Sequence, residues 1–268
     1  MTGASDIEVA LSIFNRGIVQ SKLNQLEAAV KSYDEVIYRF GDATVLMLKE
    51  YVSKAFVNKG FLHGQLNQHD EEVGSYDEVV RRFGDEIEIA LKIEVAKALY
   101  NKGVVLGKLN KRDVAVDTYY EVIHRFSSEN KPELNKFVCR AHNGIGFSQL
   151  CKGKLDLVNN DPVEAEVKFN QALDHFDTGL TYLESDKPSG IILGNRAYAL
   201  ALLGELKQAE DAFAVALRSP ADGGEELYRG TLTDFDIHPV AQDEPMRALV
   251  DRQWQLWLTE HGHEYSVV

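Results

Sequence analysis

The sequence predicts an all-α solenoid of about five helical hairpins closed by a C-terminal helical cap, and three observations lead there. Asn15, Asn58 and Asn101 stand 43 residues apart, and Tyr33, Tyr76 and Tyr119 recur at the same step. The pairs Arg39-Phe40, Arg82-Phe83 and Arg125-Phe126 follow that period too. Within each period the apolar residues recur with helical spacing and no segment alternates as a strand would. A repeat of this length marks stacked supersecondary units, because one such unit cannot bury its apolar face without neighbours.

The elements can be justified in chain order. The texts Phe14-Asn15-Arg16-Gly17, Val57-Asn58-Lys59-Gly60 and Tyr100-Asn101-Lys102-Gly103 open three units, each followed by a Tyr-x-Glu-Val segment. In the third, residues 86–109 place Ile89, Leu91, Val95, Leu99 and Leu106 at helical period, and Asn110-Lys111-Arg112 makes a tight turn before a helix over 113–126. Long first helices over 43–66 and 86–109 account for the length of the repeat. Gly41-Asp42 and Gly84-Asp85 supply a glycine stop and an aspartate cap for the next helix.

A fourth unit is less regular. A helix over 141–151 is expected, a lengthened turn over 152–160, and then a helix opened by Asp161-Pro162 and reaching about Glu184. A fifth runs over 189–219 with Gly204 in its turn, and Gly223-Gly224 breaks the chain before helices near 225–231 and 244–259. Trp254, Trp257, Leu249, Val250 and Leu258 give the last helix an apolar face suited to capping the array. The expected organisation is a repeat domain over 7–219, capping helices over 220–260 and a disordered tail over 261–268.

These residues resemble the tetratricopeptide repeat family. Asn195-Arg196-Ala197-Tyr198, Gly204, Ala209, Phe213 and Ala216 occupy its characteristic slots in the fifth unit. Gly103, Ala115, Tyr119 and Val122 do so in the third, and Ala165, Phe169 and Ala172 in the fourth. The second unit departs, with Glu72 where the small packing residue belongs. The resemblance implies a right-handed superhelix whose first helices line a concave groove. It maps Asn15, Asn58, Asn101 and Asn195 onto one groove-facing slot, with Ile18, Phe61, Val104, Phe147 and Tyr198 one turn along. Lys54, Lys97 and Arg140 recur one turn before. Amides can grip a peptide backbone, the apolar stripe supplies area, and the basic stripe favours acidic side chains. Each stripe has a competing role: the amides in bonds between units, the apolar side chains in core, the cations in pairs such as those with Asp34-Glu35 or Asp77-Glu78.

Composition excludes several classes. A net charge of −13 opposes general binding to nucleic acid or to an anionic membrane. No stretch approaches the roughly 18 apolar residues of a membrane span. Cys139 and Cys151 share one expected helix about 18 Å apart along its axis, too far to bridge. Free thiols, with no signal-like run in residues 1–8, predict a cytoplasmic protein. Gly153-Lys154-Leu155 lacks the rest of a phosphate loop, and Gly144-Ile145-Gly146 lacks a dinucleotide loop's third glycine and strand. Cys151 and His142 lie nine residues apart on nearly perpendicular faces of one helix, so they cannot act as a thiol–imidazole pair. His261-Gly262-His263 has no third metal ligand in view. The expectation is therefore no cofactor, no metal and no catalysis: an acidic adaptor, scaffold, chaperone or regulatory subunit holding a protein segment in its groove. The alternative is an inhibitor or immunity-type protein that blocks a basic surface, which steep salt dependence would distinguish. The sequence leaves the oligomeric state open.

Overall fold

The computed structural model describes residues 3–183, 189–220 and 222–262, and among them it holds twelve α-helices and no strand. The chain divides into two compact units, residues 1–129 and 130–268.

The first unit holds α1 (Gly3–Lys22), α2 (Leu26–Phe40), α3 (Leu46–Gln65), α4 (His69–Phe83), α5 (Ile89–Lys108) and α6 (Arg112–Phe126). They form three hairpins, α1/α2, α3/α4 and α5/α6; the first helices α1, α3 and α5 touch in succession, and each second helix also packs on the next first helix. The turns are set by Asn24, Asn67 and Asn110, which take left-handed φ values of 58°, 58° and 59°. Asparagine tolerates that region better than other side-chain-bearing residues, and these three stand one period apart. The expected 110–112 turn is therefore present, and its recurrence at 24 and 67 was readable from the same spacing.

A glycine on each first helix lets the tyrosine of its partner lie flat against the backbone. A Cβ built on Gly17, Gly60 or Gly103 would stand 2.8, 2.7 or 2.4 Å from the Cε1 of Tyr33, Tyr76 or Tyr119. Those tyrosines, with Val36, Val79 and Val122 one turn on, are buried in the seams of the hairpins. Ion pairs at the same period either join neighbouring hairpins, through Lys59 and Lys102, or tie a first helix to the segment that follows its own second helix, through Lys49 and Lys92. Lys59 meets Asp34 and Lys102 meets Asp77, each at 2.6 Å, while Lys49 meets Glu86 at 2.6 Å and Lys92 meets Glu129 at 2.5 Å. Gly103→Ala is expected to destabilise the protein by at least about 1 kcal/mol through overpacking against Tyr119. Gly74→Ala, on the exposed side of α4 with nothing within 4 Å of the new methyl, should stabilise it by roughly 0.5–1 kcal/mol. Urea denaturation of the two variants checks both signs.

Three sequence expectations are corrected in this unit. The first helices begin at Leu46 and Ile89, three residues later than 43 and 86. Asp42 and Asp85 do not cap them, because the N-cap residues are Val45 and Glu88 in extended conformation, without a side-chain cap bond. Nor do Gly41 and Gly84 take the left-handed conformation of a glycine stop; their φ values are −57° and −60°. Gly84 instead offers its carbonyl to the Arg125 guanidinium at 3.2 Å.

The second unit holds α7 (Pro132–Val158), α8 (Pro162–Leu180), α9 (Gly190–Leu202), α10 (Leu206–Leu217), α11 (Gly224–Asp234) and α12 (Asp243–Glu260). The lengthened turn expected over 152–160 is not there, since α7 continues to Val158. Tertiary packing accounts for the helix continuing through Gly153 and Lys154. Gly153 is needed where the Phe169 ring lies 2.5 Å from a would-be Cβ, and Lys154 is buried beside a counterion. Asp161 does cap α8, accepting the Glu164 N–H at 3.1 Å, but the helix stops at Leu180 rather than near 184, which lies outside the described residues. The fifth hairpin turns at Gly204 (φ +85°), as expected. Helices α11 and α12 pack against α9 and α10, with Leu227, Phe235, Met246, Leu249 and Val250 joining the same core. Of the tail, residues 263–268 lie outside the described residues; His261 stacks on Trp257 at 3.9 Å between ring centroids. Cys139 and Cys151 are buried free thiols, and burial pushes the Cys139 thiol up to about 12.

Candidate partner-binding groove

In the first unit, α3 and α5 wall a concavity of about 310 Å³ whose floor is α4. Phe61 from α3 is 56% exposed there, opposite Asn101 and Val104 from α5. These are three of the expected groove residues, and they meet because helix spacing places the 58/61 and 101/104 positions on equivalent faces of adjacent first helices.

The floor is polar. Glu72 is only 7% exposed, and its carboxylate meets Nδ1 of His69 at 3.1 Å and accepts from the Tyr76 hydroxyl at 3.4 Å. Burial raises the Tyr76 hydroxyl above its ordinary value, and the Glu72 charge raises it further. Glu72 lies close against Gly64, where a Cβ would stand 2.6 Å from the carboxylate and push it aside. The departure at Glu72, visible in the sequence as a packing misfit, is thus a buried acid lining the groove.

The amide stripe is engaged between hairpins. The Asn58 amide donates to the Tyr33 hydroxyl at 3.3 Å, and Asn101 bonds Tyr76 in the same way. Asn15 heads the series and is exposed. An amide keeps further donor and acceptor capacity after one such bond. The basic stripe is partly neutralised within its own helices, not by the preceding second helix. Lys54 pairs with Glu50 at 3.2 Å and Lys97 with Glu94 at 3.8 Å. The partners of Asp34 and Asp77 are Lys59 and Lys102 instead.

The remaining site candidates belong to the second unit. Arg140 is exposed and Phe147 half-buried, while Asn195 donates to Asn143 at 2.9 Å. Tyr198 is corrected outright, since at 1% exposure it faces no groove. Its hydroxyl accepts from Lys154 Nζ at 2.6 Å and donates to Asp243 at 2.6 Å. Lys154, fully buried, reaches the second Asp243 oxygen at 3.1 Å, and Asp243 also accepts the Val240 N–H at 3.0 Å. Burial lowers Lys154 and pushes the neighbouring Asp234 carboxyl up to about 7. The cluster joins α7 and α9 to α12, and the Lys154 ammonium, the Tyr198 hydroxyl and both Asp243 oxygens are partnered in it, so it reads as a structural lock.

His142 and His175 form another buried contact missed in the sequence, Nδ1 to Nδ1 at 3.1 Å between α7 and α8. Among the described residues no group of three His, Cys, Asp or Glu side chains could hold a metal ion, and no helix is long and apolar enough to cross a membrane.

Residues 97–128, from the middle of α5 through α6, match the family model of the tetratricopeptide repeat. The crystal structure of BtubC (BKLC) from P. vanneervenii is similar with a TM-score of 0.57 and 15% identity, over 81% of this chain and 82% of that one. That identity carries the fold alone. No curated protein matches the sequence. The matched hairpin is thus similar to a single tetratricopeptide repeat, and the two hairpins before it carry the same residues at the same 43-residue step.

Proposed function

We propose that the protein is a non-catalytic interaction module that holds an extended segment or helix of a partner protein in the groove of its first unit. The observation that carries this reading is the concavity between α3 and α5, where Phe61 stands 56% exposed beside Val104 and Asn101. A large aromatic side chain at the wall of a concave site is the kind of anchor that dominates binding energy. Asn101 adds an amide that can reach a peptide backbone, the mode by which an extended segment is held without strict sequence demands. At about 310 Å³ the site lies at the small end of ligand pockets, fitting one or two side chains of a longer segment. A repeat fold offers such surfaces with no chemistry of its own, which suits an adaptor, chaperone or regulatory subunit.

The test uses a displayed library of random peptides about 12 residues long. Selection on the intact chain should enrich a family of sequences, and Phe61→Asp should abolish that enrichment. The variant's melting should stay near wild type, because exposed substitutions usually cost within about 0.5 kcal/mol. Equal enrichment on the variant moves the partner site elsewhere.

A further inference from the structure

Glu72 is unusual among its own repeats. The equivalent positions one period away are Ala29 and Ala115, both buried, and the second hairpin alone of these three carries a carboxylate there. Burying a charge is costly unless it is paired and hydrogen-bonded. Here the ion pair it makes among the described residues is with His69 at 3.1 Å, and its bond from Tyr76 is long at 3.4 Å. An imidazole is not a permanent cation. The carboxylate also lines the groove rather than a closed core, between the apolar surfaces of Phe61 and Val104.

We infer that the Glu72 pocket is a specificity site for an arginine side chain presented by the bound partner segment, an inference that rests on the groove reading above. The planar guanidinium can meet both carboxylate oxygens, and it loses less on leaving water than an ammonium group does. Its aliphatic stem would lie along Phe61 and Val104, with the guanidinium near the Tyr76 ring. Lys108 also lines the site, but it is exposed and so screened by solvent. A net charge of −13 favours the approach of a basic segment over an acidic one. The groove's preference is thereby opposite to that implied by the basic stripe of Lys54 and Lys97, whose charges already meet Glu50 and Glu94.

The experiment compares peptide selections from the same library on wild type, Glu72→Gln and Glu72→Ala. Wild type should enrich peptides with arginine at one fixed position relative to an apolar anchor. The synthesised consensus peptide should bind Glu72→Gln at least tenfold more weakly, with the apolar anchor still enriched. Glu72→Ala restores the residue of the sister repeats, so it should fold and melt no lower than wild type while losing the arginine preference. Enrichment without a fixed arginine, or an arginine preference unchanged in Glu72→Gln, overturns the inference and leaves the groove reading standing; an unchanged preference would be due to overall charge. A wild type that enriches nothing sensitive to Phe61→Asp overturns the groove reading and this inference with it.

Discussion

Asp243→Ala is expected to destabilise the protein by about 3–5 kcal/mol, the range for removing one partner of a buried ion pair. Lys154 is fully buried, and its ammonium would keep hydrogen bonds to the Tyr198 hydroxyl at 2.6 Å and the Asp234 carbonyl at 3.4 Å, with the Asp234 carboxyl, raised to about 7, as the remaining acid near it. Neither hydrogen-bond acceptor carries a formal charge and the Asp234 carboxyl is itself held partly protonated by burial, while desolvation already lowers the Lys154 pKa even with Asp243 present. Lys154→Met removes the cation and strands the carboxylate on Tyr198 and the Val240 N–H, so it should also be costly. The double variant Lys154→Met with Asp243→Ala leaves no uncompensated charge in the pair and should lose clearly less than the sum of the two single changes. Urea denaturation of the four proteins gives the coupling energy. Additive losses would show that the two charges do not depend on one another.

Acidification should weaken the second unit through His142. Burial lowers this imidazole from its usual 6.5 to about 4, with His175 contributing. The unfolded chain therefore takes up a proton as pH falls through about 6.5, while the folded protein does so only near 4. Stability is fully present above pH 6.5 and is lost on the way down to 4, by an amount on the order of 2–3 kcal/mol. The lowered His175 acts in the same direction. Asp234 acts in the opposite one, since its raised carboxyl regains a proton in the folded state near pH 7. The diagnostic quantity is thus the difference between wild type and His142→Phe, which keeps a ring to stack on Tyr182. Between pH 7 and pH 5 the wild type should lose more stability than the variant. Parallel profiles would mean that the pair is solvated and titrates normally.

Much of the first unit was legible because duplication writes the same contacts three times. The tyrosine, glycine and asparagine series each mark a physical requirement, namely a seam, a close approach and a left-handed turn. The fourth hairpin was harder, since a buried lysine next to a glycine carries the local signature of a turn until its distant counterion is known. Tyr198 failed for a related reason. Its place on a first helix matches the groove slot, but α12 brings Asp243 to that slot in the fifth hairpin and buries it. The groove itself was half legible: Phe61, Asn101 and Val104 converge as helical spacing requires, whereas Glu72 looked like a packing fault. Its partners, His69 and Tyr76, become visible only when the hairpin closes over Gly64.

The lock around Lys154 also bears on the order of biosynthesis. In the first unit the periodic ion pairs, between hairpins or within them, link residues 25 or 37 positions apart, so each cation finds its partner almost as soon as the next helix leaves the ribosome. Lys154 must wait for a carboxylate about 90 residues downstream, which at about 5–20 residues per second is several seconds of synthesis. During that interval the Lys154 side chain lacks the Asp243 counterion it has in the finished fold. The nascent chain should therefore gain protease resistance in two steps, early for residues 1–129 and, for the residues after them, only once Asp243 has been made.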